Sequence, residues 1–248
     1  MEVHHHPDIH HNNKKFREYF LEFLMIFLAV TMGFLAESLR ENMGDKEKEK
    51  EYISSLISNL KQDTANLNNT ILDNRKKDKG LDSLIFLSFK NLAEPANRQQ
   101  LYNYTSKYVS FYSTFLSDDA TMLQLKNSGG LRFIKRSHVA DSIAQYDLEM
   151  RNIYAAEGPY IKAGSAAVDA AQELLISTWF EDTTYFKNDK FTNKELPLLT
   201  SDPQKIRIFF NKISYERGWT RNYVYSLAET LPYTTRLIAF LKKEYDIE

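Results

Sequence analysis

An all-α protein is predicted: an N-terminal transmembrane helix that continues into a long charged helix and an antiparallel helical bundle. Three observations predict it. Residues Phe16 to Leu39 are the most apolar stretch of the chain, with fourteen uncharged positions in a row from Phe23 to Ala36. Apolar residues then recur at three-and-four spacing from Ile53 to Ile85, the period of one helix face. Only 6 prolines and 8 glycines punctuate 248 residues, too few for many short strands and turns.

Composition narrows the function classes. A hydrophobic share of 43% with 26% charged residues is that of an ordinary folded chain. The 32 basic and 33 acidic residues leave a net charge of −1, so no general attraction to nucleic acid exists and no such partner is expected. Cysteine is absent, which removes disulfides, thiolate metal sites and a cysteine nucleophile. It decides nothing about compartment.

Four segments are expected: a His-rich basic tail (1–18), a transmembrane helix (19–39), a long heptad-like helix (40–92), and a bundle body (93–248) packing with 50–92. The tail places His4, His5, His6, His10 and His11 within eight positions. Imidazoles bind divalent transition metals, so these five are the one candidate metal site; no other cofactor is expected. Pro7 keeps them off a single helix face. A solvated tail that gains charge near neutral pH is the plainer alternative.

Lys14, Lys15 and Arg17 precede the apolar stretch, the layout of a signal anchor. Cleavage after Ala36 is disfavoured because Phe34 stands where a small residue is needed. Tyr19 to Leu39 is 21 positions, and about 20 cross a bilayer. Glu22, Ile26, Ala29, Gly33 and Ala36 recur on one face of that helix. Ala29 and Gly33 form a small-xxx-small pair that lets two helices approach in lipid. A carboxylate at Glu22 is costly near a membrane unless paired, protonated or facing a polar interior. Bundling of several copies around this face would serve both features; the alternative is that Glu22 snorkels to the interface.

From Arg40 the chain is strongly charged, and Lys46 to Glu51 alternates sign as an exposed helix does. Ile53, Leu56, Leu60, Leu67, Ile71, Leu81 and Ile85 form a heptad-like seam interrupted by Thr64, Asn74 and Asp78. Those polar positions favour a bundle over a long coiled-coil stalk. Ala93 to Ala96 breaks the helix. A second helix is expected from Asn97 to Leu116, its aromatic face (Tyr104, Tyr108, Phe111, Tyr112, Phe115) serving as core. Asp118 or Asp119 is expected to cap a short helix ended by Gly129 or Gly130 at positive φ, and Ser137 to cap the next. Gly158-Pro159 and Pro232 are expected to kink or split later helices. Trp179 to Thr200 is the longest loop candidate, between an Ala-rich helix (Ala163 to Ile176) and helices near 203–216 and 220–245.

The HHHPDIHH tract leading into KKFREYFLEFLMIFLAVTMGFLAE, together with the internal LQLKNSGGLRFI segment, resembles a family of single-span membrane proteins from Bacteroidota known only as a domain of unknown function. The resemblance implies an envelope location and a helical body, and it brings no activity. With the basic residues nearest the span at its N-terminal side, the expected placement is the bacterial inner membrane, N-terminus cytoplasmic and bulk periplasmic.

No HExxH, GxSxG or phosphate loop is present, and His138 has no metal or triad spacing, so no enzyme is expected. The expected function is a structural or interaction role: a bilayer-anchored, self-associating protein in an envelope complex. The alternatives are a small homo-oligomeric ion channel or stator-like conduit using Glu22, and a ligand-sensing anchor.

Overall fold

A computed structural model describes residues 16–109, 111–127, 129–176 and 196–247. The fold is all-α, and no strand occurs among the described residues. Five helices follow in order: α1 (Phe16–Phe86), α2 (Pro95–Tyr104), α3 (Ala120–Asn127), α4 (Ser137–Leu174) and α5 (Pro203–Tyr245). The chain divides into two compact units, Met1–Lys50 and Glu51–Glu248.

The first unit, as far as it is described, is the N-terminal part of α1. That helix is long and apolar enough to cross a membrane, with an 18-residue window of mean hydropathy 2.0 that is 0% buried. The expected boundary at 39/40 is not a structural break, because the helix runs through it. It ends at Phe86 and not at 92, followed by a 3-10 turn at Leu87–Phe89.

The second unit holds the core, in which α4 packs against α5. One apolar cluster joins Ile53, Leu56, Leu60 and Leu67 of α1 to Ile143 and Ile153 of α4 and to Leu227 and Leu241 of α5. A second joins Leu81 and Leu84 to Leu101 of α2, Ala167 and Leu174 of α4, and Phe209 and Ile213 of α5. Each buried Leu or Ile contributes about 1.5–3 kcal/mol relative to exposure, which outweighs any helix propensity difference along these segments. Tyr102 ties the second cluster to the 177–195 connection, which lies outside the described residues. Its hydroxyl accepts from the Ile176 amide (3.0 Å) and donates to the Pro197 carbonyl (2.8 Å), pinning both ends of that connection at one point.

Several local expectations are corrected. The helix expected over Asn97 to Leu116 ends at Tyr104, passes through a π turn at Thr105–Val109, and gives way to an irregular segment from Phe111 to Asp119. Ser137 is the first helical residue of α4 and Arg136 the capping position, without a side-chain cap. Neither proline splits its helix: α4 runs through Pro159 and α5 through Pro232. The carbonyl that Pro159 leaves without its helical partner belongs to Ala155, which is exposed and can be hydrated, and Pro232 lies on the outer face of α5. Packing of the opposite faces overrides the local cost. The α5 start is conventional, with Asp202 accepting from the Gln204 amide (2.8 Å) and Pro203 opening the first turn. Gly129 has φ +68°, as expected of the residue that stops α3.

The Ala-rich part of α4 does permit close packing. A Cβ on Gly164 would lie 2.5 Å from the Tyr112 ring, whereas one on Gly158 would meet nothing within 4 Å. Gly164→Ala is therefore expected to destabilise by about 1–3 kcal/mol through overpacking. Gly218→Ala in α5, where a Cβ would likewise meet nothing within 4 Å, should stabilise by up to about 1 kcal/mol through helix propensity. Urea unfolding of the two variants checks this, and equal midpoints would remove the Tyr112 contact as the reason for a glycine.

Candidate functional site

Two places in the molecule hold features beyond ordinary packing. The first is the apolar part of α1. Glu22, Ile26, Ala29, Gly33 and Ala36 are all exposed, and a Cβ on Gly33 would meet nothing within 4 Å. Their neighbours are exposed too, apart from half-buried Thr31, whose hydroxyl donates to the Phe27 carbonyl (2.7 Å). The face is thus open along its length, and its five members share it by helical spacing. The five tail histidines lie outside the described residues.

The second place is the polar interior of the bundle. From Ile53 to Leu84, α1 carries an unbroken heptad seam: Ile53, Leu60, Leu67, Asn74 and Leu81 in one row, Leu56, Asp63, Thr70, Lys77 and Leu84 in the other. All ten are buried. Four of them are polar, and three of those four hold the segment from Phe111 to Asp119. Lys77 Nζ donates to the Phe111 carbonyl (2.7 Å) and Asn74 Nδ2 to the Ser113 carbonyl (2.8 Å). Asp63 accepts from the Ser117 hydroxyl (3.0 Å) and the Asp118 amide (2.6 Å). Beside the seam, Asn66 Nδ2 donates to the Leu116 carbonyl (3.0 Å), and Asn59 accepts from the Thr121 amide (3.4 Å).

These contacts run in opposite order along the two chains. From Lys77 back to Asn59, α1 covers about 27 Å. The ten steps from Phe111 to Thr121 reach at most about 36 Å. The segment is therefore largely extended: it is a strap laid antiparallel to α1. Other helices supply donors and acceptors as well. The Ser113 amide donates to the Tyr160 hydroxyl of α4 (3.3 Å) and the Phe115 amide to the Tyr223 hydroxyl of α5 (2.9 Å). Side chains thus do for the strap what strand pairing would do in a sheet.

Two buried titratable centres sit beneath it. Lys77 and Glu216 are both fully buried, with Nζ 2.8 Å from Oε1. The pair is close but poorly aligned, so it acts as an ion pair and leaves both Glu216 oxygens without a well-formed hydrogen bond among the described residues. Burial pushes the Glu216 carboxyl up to about 7, against the pull of Lys77. Burial likewise lowers Lys77, with Glu216 opposing. The Tyr112 and Tyr160 rings flank the ammonium at 4.7 and 5.0 Å. At the other end, burial raises the Asp63 carboxyl although the Tyr146 hydroxyl, the Asp118 amide and the Ser117 hydroxyl hold it down.

Asp63 is 1% exposed and central. Lys77, Glu216, Tyr146, Tyr160 and Tyr223 were not anticipated as a group. The available signal was a charged residue seven positions from a core leucine at each of two places, Asp63 from Leu56 and Lys77 from Leu84. His138 pairs with Glu244 (3.0 Å) at the surface, and Arg136 joins the same carboxylate, which the two hold below its usual range. Among the described residues no group of His, Cys, Asp or Glu is placed to hold a metal ion. No protein-family model, curated protein or solved structure matches this chain.

Proposed function

We propose that this chain is a single-pass membrane anchor carrying a helical interaction module, self-associating through the face of Glu22, Ile26, Ala29, Gly33 and Ala36 within a bacterial envelope complex. The observation that carries the reading is the apolar window of α1 with mean hydropathy 2.0 and no part buried. A water-soluble protein does not leave an apolar surface of this size uncovered, whereas lipid covers it without cost to the helix, whose backbone bonds are satisfied internally. Small residues at Ala29 and Gly33 would let two such helices meet closely. The basic residues on the N-terminal side support a cytoplasmic N-terminus and an external module. The role requires binding and no catalysis.

The test is extraction. The chain is expected to stay in the membrane pellet at alkaline carbonate pH and to leave it only with detergent. Replacing Leu24, Phe27, Leu28 and Leu35 together by Ser should move it to the soluble fraction. Release of the native chain by carbonate would overturn the anchor. Single cysteines at Asn12 and Asn188, labelled by an impermeant reagent in intact cells, report the side; labelling at Asn12 alone would reverse the orientation. Gly33→Ile should lower the dimer fraction in detergent, and an unchanged mass distribution would remove this face from the interface.

A further inference from the structure

Beside Asp63 lies a partly open cavity of about 110 Å³, walled by α1, α3, α4 and the C-terminal end of the strap. Its inner wall is apolar: Leu56, Leu60, Met122 and Met150. Six charged side chains line the rest, and they do not balance. Lys126 and Arg151 are the two cations, and both are committed to Asp147, at 2.9 and 3.6 Å. Asp63, Asp118 and Asp119 line the same space, and no ion pair reaches any of them among the described residues.

Asp63 is the informative one. It is 1% exposed, and a buried carboxylate is normally matched by a cation. Here only neutral donors hold it: the Ser117 and Tyr146 hydroxyls and the Asp118 amide. Those three bonds leave room for one more on a carboxylate, which has about four acceptor directions. Asp118 and Asp119 are exposed at the mouth, and a single buried carboxylate with an apolar wall and no internal counter-charge suits one class of ligand. A divalent metal would need convergent oxygens, and among the described residues the carboxylates here are not grouped to hold one.

We propose that this cavity is a binding site for a small organic ammonium ion, its charged nitrogen at the Asp63 end and its apolar body against Met122 and Met150. The size is suitable: a dry cavity of about 150 Å³ accommodates benzene, so this one takes an amine of four or five carbons. Burial already raises the Asp63 carboxyl, and a cation beside it would bring it back towards its ordinary range. The strap contributes Ser117, Asp118 and Asp119 to the wall, so occupancy would also fix the end of the strap. The site does not depend on the membrane reading, since every residue in it belongs to the Glu51–Glu248 unit.

The probe is isobutylamine, protonated at neutral pH, compared with its neutral isostere isobutanol, on the detergent-solubilised full chain with ¹³C-methyl methionine. The Met122 and Met150 methyl signals are expected to shift and saturate with the amine, with affinity about tenfold or more above that of the alcohol. Met25, Met32 and Met43 serve as internal controls for binding to the detergent. Asp63→Asn should weaken the amine at least about tenfold and leave the alcohol unchanged. Because Asp63 also tethers the strap, Met122→Phe supplies a second variant: it narrows the cavity, keeps the carboxylate, and should weaken the amine response at Met150. An equal response to amine and alcohol, no response at Met122 and Met150 by about 50 mM, or undiminished binding in Met122→Phe would each overturn the proposal.

Discussion

Lys77→Met is expected to destabilise the bundle by about 3–5 kcal/mol at pH 8, because it leaves the Glu216 carboxylate buried with no counter-charge. The loss should depend on pH, and the sign follows from Glu216. Its carboxyl lies at about 7 in the folded chain, above the ordinary 4.5. A group raised on folding stabilises fully below its unfolded value and loses that contribution as pH rises through its folded value. Removing Lys77 takes away the one group holding it down, so the folded value moves up and the window of loss extends above 7. At pH 5 the carboxyl is protonated in the variant, and what remains is the unsatisfied Phe111 carbonyl, about 1–3 kcal/mol. The double variant Lys77→Met with Glu216→Leu should recover most of the loss at pH 8, since a well-packed apolar pair often equals or exceeds a buried ion pair. Chemical unfolding of the detergent-solubilised chain, followed by near-ultraviolet circular dichroism at pH 5 and 8, measures all of this. The account of Glu216 fails if the single variant costs the same at both pH values, or if the double variant is no better than the single.

The fold class was legible because it rests on periodicity. The heptad residues Ile53, Leu56, Leu60, Leu67, Ile71 and Leu81 are all buried, as their spacing predicts, and Ile85 is half-buried. The polar seam positions Thr64, Asn74 and Asp78 pointed to a bundle, and the fold is one, yet the work of Asn74, and of Lys77 outside that set, was hidden. Asn74 and Lys77 hold the backbone of a strap that lies 34–39 residues away in sequence. Nothing local announces such a pairing. The strap itself was masked by coincidence: Tyr104, Tyr108, Phe111, Tyr112 and Phe115 have helical spacing, although the helix ends at Tyr104. Ser110, Ser113, Thr114 and Ser117 argue the other way, since Ser and Thr are poorer helix formers whose hydroxyls compete for backbone groups. The prolines misled in the opposite direction, because a helix packed along one whole face tolerates a lost bond on the other. Lys77 and Glu216 are 139 positions apart, and only the packing of α1 against α5 brings them together.

Phe115→Ala is expected to cost about 3–5 kcal/mol, more than removing any one neutral polar tether of the strap. Phe115 is fully buried in the first apolar cluster, and its amide donates to Tyr223, whose ring stacks on Tyr160 with centroids 4.8 Å apart. Next to it Leu116 is 73% exposed, so Leu116→Ala should change stability by less than about 0.5 kcal/mol and controls for position in the strap. The polar tethers are neutral hydrogen bonds for the most part, each a net contribution near 1 kcal/mol, and they fix register more than they supply energy. The one buried ring is what holds the strap down. Hydrogen exchange separates these roles. In Phe115→Ala the Ser113, Phe115 and Asp118 amides should exchange faster than those of α4 and α5, reporting local release of the strap before global unfolding. If they exchange only with the helices, the strap has no opening of its own. It is then an integral layer of the core, and the polar seam of α1 serves cohesion alone.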